Sequence, residues 1–171
     1  MLNNTVNETN GMLTLRLQGV MHHYGISNPA DPVRRTADVP TKFAVCGMIG
    51  RALGIAGRNR RDKGQFQDLI DHIEIVDIEA INRYPVNKVV DTESFEALLE
   101  EMDYTTFRED YKDVDFSETV QIEYLTDADF HVTVCCSGQY TPEMIRDALK
   151  NPVVTPALGR SDCIPARVVA L

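Results

Sequence analysis

The sequence predicts an α+β fold in which helices pack against a sheet, and three observations carry this prediction. Residues 12–18 alternate apolar and polar side chains, which is typical of a half-buried strand. Residues 43–53 repeat apolar side chains at helical spacing, which indicates a largely buried helix. The order strand, helix, strand occurs twice, once on either side of an acidic segment.

The first strand and the first helix have the clearest patterns. In the strand, Leu13, Leu15 and Leu17 lie on one face, and polar residues lie on the other. The helix is expected to begin after Thr41, whose hydroxyl is suited to cap the first turn. It is expected to end at Gly54, in the usual position of a C-terminal glycine.

The remaining elements complete a recognisable order. A short helix is expected over residues 65–72 and a strand over 73–81, where the alternation shifts between Ile75 and Val76 and predicts a bulge. Strands over 118–125 and 130–136, a helix beginning at Thr141 and Pro142, and a strand over 167–171 follow. This is the split βαβ order of a ferredoxin-like or RNA-recognition-motif-like domain. The length of 171 residues fits one such domain over 1–171.

Two stretches fall outside this core. Residues 82–118 are acidic and are expected to project between two strands as an insertion, with an amphipathic helix over 92–102. Residues 1–11 are polar, lack the basic and apolar regions of a signal peptide, and are expected to form a flexible tail. No apolar run reaches the length of a membrane span, so a cytoplasmic location without a membrane partner is expected.

The net charge of −9 is distributed unevenly along the chain. Residues 1–63 contain nine basic and four acidic residues, whereas residues 64–130 contain four basic and nineteen acidic ones. Residues 131–171 are close to neutral, with four basic and three acidic residues. This asymmetry predicts either a basic, nucleic-acid-binding face on an acidic protein or two neutralising faces of an oligomer.

Cations surround the start of the first helix. Arg34 and Arg35 precede the helix, and Lys42 lies in its first turn. A helix N-terminus with nearby cations attracts anions, above all phosphate. The simpler interpretation, which these residues alone favour, is a core helix whose surface cations are solvated.

The segment His22-His23-Tyr24 follows the first strand and contains side chains suited to catalysis or to RNA binding. The histidines are suited to general acid–base catalysis, and the tyrosine ring is suited to stacking on a base. A packed, half-exposed loop is the simpler interpretation. The spacing of the four cysteines and four histidines indicates neither a zinc site nor a disulfide framework, so no metal or cofactor is expected.

Four pieces of the chain together resemble a known family. They are LRLQGVMHHYG at 15–25, RRTADVPTKFAVCGMIGRALGI at 34–55, ETVQIEYLTDADFHVTV at 118–134 and LKNPVVTPALGRSDCIPA at 149–166. In order and spacing they resemble the Cas-five family of CRISPR-associated proteins, and within it the CasD group of type I-E Cascade complexes. The resemblance covers about residues 12–166. It implies an RNA-recognition-motif-like fold, also called a RAMP fold, with a thumb-like insertion at 82–118.

The resemblance also implies a function and partners. Such proteins grip the 5′ handle of the CRISPR RNA, cap the backbone of the complex, and contact its backbone and large subunits, so that target DNA is met through the complex. That role is structural and not enzymatic. In the type I-C branch the family member itself cuts RNA without a metal ion, which gives a metal-independent endoribonuclease as the alternative. A third hypothesis is a protein-interaction domain without RNA, built around the acidic insertion.

The resemblance assigns expected roles to residues of this chain. For catalysis, the alternative function would use His22, His23 and Lys42. Phosphate pairing is expected of the cations and stacking of Tyr24. The expected RNA-binding residues are Met21, His23, Tyr24, Arg34, Arg35, Thr41, Lys42, Arg58 and Arg160, the last of these in the motif Leu-Gly-Arg-x-x-Cys-x-Pro.

Overall fold

Two sheets and three helices make up the described part of the computed structural model of the chain. The structure describes residues 11–26, 31–55, 60–82, 85–94 and 119–171. The predicted tail lies outside these residues except for Gly11, and so do Arg58 and most of the predicted insertion. The strands are β1 Gly11–Gln18, β2 Met21–His22, β3 Gly25–Ile26, β4 Val33–Thr36, β5 Ile73–Ala80, β6 Asn87–Ser94, β7 Thr119–Thr126, β8 Asp129–Cys136 and β9 Arg167–Ala170. The helices are α1 Lys42–Leu53, α2 Arg60–His72 and α3 Pro142–Lys150.

The first sheet has the strand order β5-β8-β1-β9, and neighbouring strands are antiparallel. This is the order of a ferredoxin-like sheet, in which the first and third core strands occupy the centre. The alternation predicted for β1 is confirmed, because Leu13, Leu15 and Leu17 are at most 1% exposed. The predicted bulge in β5 is also confirmed by a register shift between Ile75 and Asp77. The α+β, RNA-recognition-motif-like fold is therefore confirmed.

Helix α1 begins and ends as predicted. The Thr41 hydroxyl accepts a hydrogen bond from the Ala44 backbone N–H at 3.3 Å, which caps the first turn. Gly54 ends the helix in the left-handed region at φ 79°, where a side chain would be strained. Buried residues on α1, including Val45 and Ile49, join the leucines of β1 in one apolar cluster. Helix α1 packs against α2, α3 and β5, so its N-terminus is held in place by several elements.

The second sheet is built around β7. Strand β7 pairs with β2 and β6 in antiparallel fashion and with β4 in parallel fashion, and β3 pairs with β4. Strands β2 and β3 come from the segment predicted as a loop. They are two residues long, so they are too short for alternation to reveal them.

Three boundaries differ from the sequence-based predictions. Helix α2 begins at Arg60, five residues earlier than predicted, because its first turn includes Arg60, Arg61 and Lys63, which are residue types of good helix propensity. Strand β6 covers Asn87–Ser94, so the helix predicted from Thr92 is wrong over residues 92–94, where pairing with β7 satisfies the backbone. The rest of that predicted helix lies outside the described residues. Among the described helices, none combines the length and apolarity needed to cross a membrane.

Candidate nucleic-acid interface

A pocket of about 410 Å³ opens beside the N-terminal end of α1, and we name it the arginine pocket. Strand β4, the His23 segment and the loop around Gly159 supply the rest of its wall. It contains four of the predicted RNA-binding residues, and its lining is His23, Gly25, Arg34, Thr41, Phe43, Ala44, Gly159 and Arg160. The structure thus brings together residues that are up to 137 positions apart in the sequence (His23 and Arg160).

The two neighbouring arginines of β4 have different surroundings. Successive side chains of a strand point to opposite faces, so only one of the pair lines the arginine pocket. Arg34 is exposed and lines it. Arg35 instead pairs with Asp31 at 2.8 Å and with Glu123 at 3.1 Å, and these hydrogen bonds raise its pKa. The prediction that Arg35 pairs with phosphate does not fit this placement, because its guanidinium is already held by two carboxylates.

Glu123 lies at the centre of a polar cluster next to the arginine pocket, since its backbone carbonyl contacts His23 of the pocket. Its residue is 7% exposed, and its carboxylate accepts a hydrogen bond from the Thr36 backbone N–H at 3.1 Å. Lys88 on β6 lies 3.5 Å from the same carboxylate. Burial alone raises the pKa of Glu123, but the hydrogen bond from Thr36 and the nearby Arg35 and Lys88 outweigh it, so the pKa is lowered. The cluster fixes β4 against β7 and so holds Arg34 in position.

Arg160 forms the inner wall of the arginine pocket. Its side chain is 13% exposed, and its guanidinium donates a hydrogen bond to the Tyr124 hydroxyl at 2.5 Å. The guanidinium also lies 5.9 Å from the centre of the Tyr124 ring and 3.5 Å from a carboxylate oxygen of Asp162. These contacts orient the arginine, which leaves Arg34 as the more exposed of the two cations in the pocket.

The position before Arg160 requires a glycine, and Gly159 occupies it. Its φ of 93° lies in the left-handed region, and a Cβ built there would meet the His23 carbonyl oxygen at 1.8 Å. This close approach is matched by a hydrogen bond from the His23 backbone N–H to the Leu158 carbonyl at 3.0 Å. The glycine therefore allows the loop to bring Arg160 beside His23.

His22 and Tyr24 lie in the core and not at the surface. They are 0% and 1% exposed, and the His22 Nδ1 lies 2.6 Å from the Tyr24 hydroxyl. Burial lowers the pKa of His22 to about 4 and raises the pKa of Tyr24. The prediction that Tyr24 stacks on a base is wrong, because its ring is covered. The catalytic role considered for His22 is wrong for the same reason.

His23 is half-buried and faces the arginine pocket. Its Nδ1 lies 2.8 Å from the Glu123 backbone carbonyl oxygen. Since a carbonyl only accepts hydrogen bonds, Nδ1 carries a proton, and Nε2 is the unprotonated nitrogen of the neutral ring. Burial alternates over residues 22–24, with His22 and Tyr24 buried and His23 half-buried, but the sequence His-His-Tyr carries no matching alternation of apolar and polar residues that could have predicted it.

Two more predicted residues lie away from the arginine pocket. Lys42 pairs with Glu74 of β5 at 2.5 Å, so its ammonium is directed toward the first sheet. Met21 is half-buried and packs against the apolar core. The roles predicted for them, RNA contact by both and catalysis by Lys42, do not fit these positions. The ion pair with Glu74 could not be found from local spacing, because the two residues are 32 positions apart.

Phe43 is the aromatic residue of the arginine pocket, and it was not among the residues predicted to bind RNA. Its side chain was expected to belong to a largely buried helix, but it is 68% exposed. It contacts the ring of Phe66 edge-to-face, with 5.3 Å between ring centres. The available signal was its position in the first turn, outside the stripe formed by Val45, Met48 and Ile49.

Comparisons with known proteins give a family and similar folds. The family model described as CRISPR-associated protein (Cas_Cas5) matches residues 12–171. A search of curated proteins finds no match. The chain described as "CRISPR RNA-guided surveillance complex" is 23% identical with a TM-score of 0.62, and the match covers 94% of this chain and 62% of that chain.

Two further solved structures have related folds. The chain described as "Crystal structure of Cas protein" is 25% identical with a TM-score of 0.55, over 93% of this chain and 62% of that one. The functionally uncharacterized protein SMU1763c from Streptococcus mutans is 14% identical with a TM-score of 0.50, over 94% of this chain and 66% of that one. This chain spans about 62% of the length of the first two structures.

Proposed function

The chain belongs to the CRISPR-associated Cas5 family, and from this premise we propose that it is an RNA-binding subunit of a CRISPR RNA-guided surveillance complex. The proposed ligand is the 5′ handle of the CRISPR RNA. The proposed partners are the backbone and large subunits of a type I complex, with this subunit capping the backbone and target DNA reached through the assembly. The type I-E assignment rests on the sequence resemblance and stays a prediction.

The observation that carries the proposal is the meeting of Arg34, Arg160 and His23 in one pocket. An exposed arginine binds phosphate with charge-assisted, bidentate hydrogen bonds. Arg34 is placed to bind a phosphate in this way, because the nearby Glu123 carboxylate already pairs with Arg35 and Lys88. Phosphate contacts of this kind supply nearly all of the affinity in non-specific nucleic-acid binding and a large share of it in specific binding.

The experiment is a titration of single-stranded RNA with the wild-type chain and Arg34→Ala over a range of salt concentrations. The variant is expected to bind more weakly, with a salt slope that is smaller by about 0.7, the value for one phosphate contact on a single strand. Arg146→Ala is the matched control, because Arg146 is a part-exposed cation of α3 that does not line the arginine pocket. Equal binding and equal slopes for wild type and Arg34→Ala would refute the site.

A second candidate function is metal-independent cleavage of repeat RNA, and the orientation of His23 is the observation that favours it. The unprotonated Nε2 would accept the proton of a ribose 2′-hydroxyl, whose oxygen then attacks the adjacent phosphorus. The 5′-oxygen of the next nucleotide leaves and takes a proton from water, which gives a 2′,3′-cyclic phosphate. Arg34 and Arg160 would stabilise the negative charge of the phosphorane.

Incubation of repeat RNA with the protein in EDTA separates this candidate from a purely structural role. Cleavage that yields a cyclic phosphate and is lost in His23→Ala would support it. Intact RNA under those conditions would remove it. The third hypothesis, an interaction domain built on residues 82–118, concerns a segment that lies mostly outside the described residues and stays a prediction.

A further inference from the structure

A second hollow of about 420 Å³ adjoins the arginine pocket, and we name it the phenylalanine groove. The two share Phe43 and Gly159, so they form one continuous depression along α1. We propose that the phenylalanine groove holds the base of one nucleotide, stacked on Phe43, while the backbone of the same strand crosses the arginine pocket. This inference rests on the proposed function and adds a base-binding site to it.

Phe43 is unusually exposed for an aromatic side chain. A phenyl ring exposed to 68% leaves a large apolar area in water, which is unfavourable for a chain with a formed core. The edge-to-face contact with Phe66 holds the ring from one side, with an interplanar angle of 86°. A ring that is held in place and open to solvent is suited to stack on a nucleobase.

The groove behind Phe43 is apolar and open. Met48 and Ile55 contribute apolar surface, and a Cβ built on Gly47 would meet nothing within 4 Å. The glycine therefore leaves unfilled space on the helix face at the point where a flat ring would lie. A planar base placed there lays one apolar face on this surface and keeps its polar edges toward solvent.

The charges around the groove favour a nucleotide over an apolar peptide. Arg51 and Lys63 line the phenylalanine groove together with its apolar residues, and Arg34 and Arg160 line the adjoining arginine pocket. Within the described residues no acidic side chain lines either of these two hollows, and Asp162, the carboxylate 3.5 Å from Arg160, lies outside both linings. An occupant that carries both a flat apolar ring and negative charge matches this surface, and a nucleotide of single-stranded RNA has both.

The test compares two RNA probes, an adenosine octamer and an octamer of the same sugar–phosphate backbone without bases. Phe43→Leu keeps an apolar side chain but removes the ring, and Phe43→Trp keeps a ring. Phe43→Leu is expected to weaken binding of the adenosine octamer by about tenfold and to leave the abasic octamer unchanged. Phe43→Trp is expected to bind the adenosine octamer at least as well as the wild type.

The controls separate the failure of this inference from the failure of the proposed function. Met144→Ala removes an exposed apolar side chain on α3 outside both hollows and is expected to change neither titration. If Phe43→Leu weakens neither probe, or both equally, while Arg34→Ala weakens both, the base site is refuted and the RNA-binding function stands. If the wild type binds neither probe, both are refuted. Thermal unfolding of each variant checks that the fold is intact.

Discussion

At the scale of single residues, Arg34 and Arg35 are neighbours with opposite roles. Arg34 faces the arginine pocket, whereas Arg35 bridges Asp31 and Glu123. We expect Arg35→Ala to lower the urea midpoint of unfolding, because the buried Glu123 carboxylate loses a partner. We expect its RNA affinity, corrected for the folded fraction, to stay at the wild-type value. A variant as stable as the wild type but defective in RNA binding would reverse the two assignments.

His22 gives a second prediction at this scale, which concerns pH. Its pKa is about 4 in the folded protein and about 6.5 in the unfolded chain, so the unfolded state binds more protons between these values. Stability is therefore expected to fall as the pH drops from about 6.5 to 4, by on the order of 3 kcal/mol. His22→Phe fills the space between Tyr24 and Phe130 with a ring that cannot titrate. Urea unfolding between pH 7 and 4 should show that stability falls less steeply with decreasing pH in the variant than in the wild type. An equally steep fall in both would contradict the lowered pKa of His22.

At the scale of secondary-structure elements, Glu123 joins three strands of the second sheet. It lies on β7 and contacts Thr36 of β4 and Lys88 of β6. Glu123→Gln is expected to lower the free energy of unfolding by about 1–2 kcal/mol at neutral pH. Because the folded pKa is lowered, this contribution is present above the ordinary value of 4.5 and is lost as the pH falls below it. The difference between wild type and variant should therefore shrink at acidic pH, and a difference that grows there would contradict the account.

The loop that carries Arg160 gives a second prediction at the element scale. Gly159→Ala places a methyl group on the His23 carbonyl at a φ of 93°, so the loop must move. We expect a loss of stability of about 1–3 kcal/mol and weaker RNA binding. Gly64→Ala is the matched control, because a Cβ there meets nothing within 4 Å and α2 gains helix propensity of about 1 kcal/mol. Calorimetry should show a lower unfolding temperature for Gly159→Ala and a higher one for Gly64→Ala. Changes of the same sign would show that residue 159 does not approach the His23 carbonyl closely.

At the scale of the whole molecule, the sequence was informative wherever one pattern ran over several residues. The alternation over β1 and the capped, apolar α1 predicted these two elements, and the succession of predicted strands and helices along the whole chain predicted a ferredoxin-like domain, which the strand order of the first sheet confirms. Patterns of this kind do not reveal which side chains form ion pairs across the fold. Arg35 meets Glu123 at a separation of 88 positions, so its removal from the predicted phosphate-binding set required the fold.

The structure brings together only some of the residues that were predicted to bind RNA. His23, Arg34, Thr41 and Arg160 line one pocket; the family resemblance named these residues as RNA-binding, but neither it nor their spacing predicted that they share a pocket. The burial of His22 and Tyr24 was not predicted, because β2 is only two residues long and Tyr24 lies beyond its end, so no sequence pattern marks either side chain as part of the core. Phe43 was overlooked because an apolar residue at the start of an apolar helix is expected to be buried.

The central claim is that this chain holds RNA within a CRISPR surveillance complex. The most direct measurement is to express the tagged chain with the genes around it, once as wild type and once as Arg34→Ala, and to sequence the RNA that co-purifies. We predict RNA with uniform 5′ ends inside a repeat, together with other protein subunits, and a reduced yield of that RNA from the variant. Neither RNA nor a large complex from the wild type would contradict the claim.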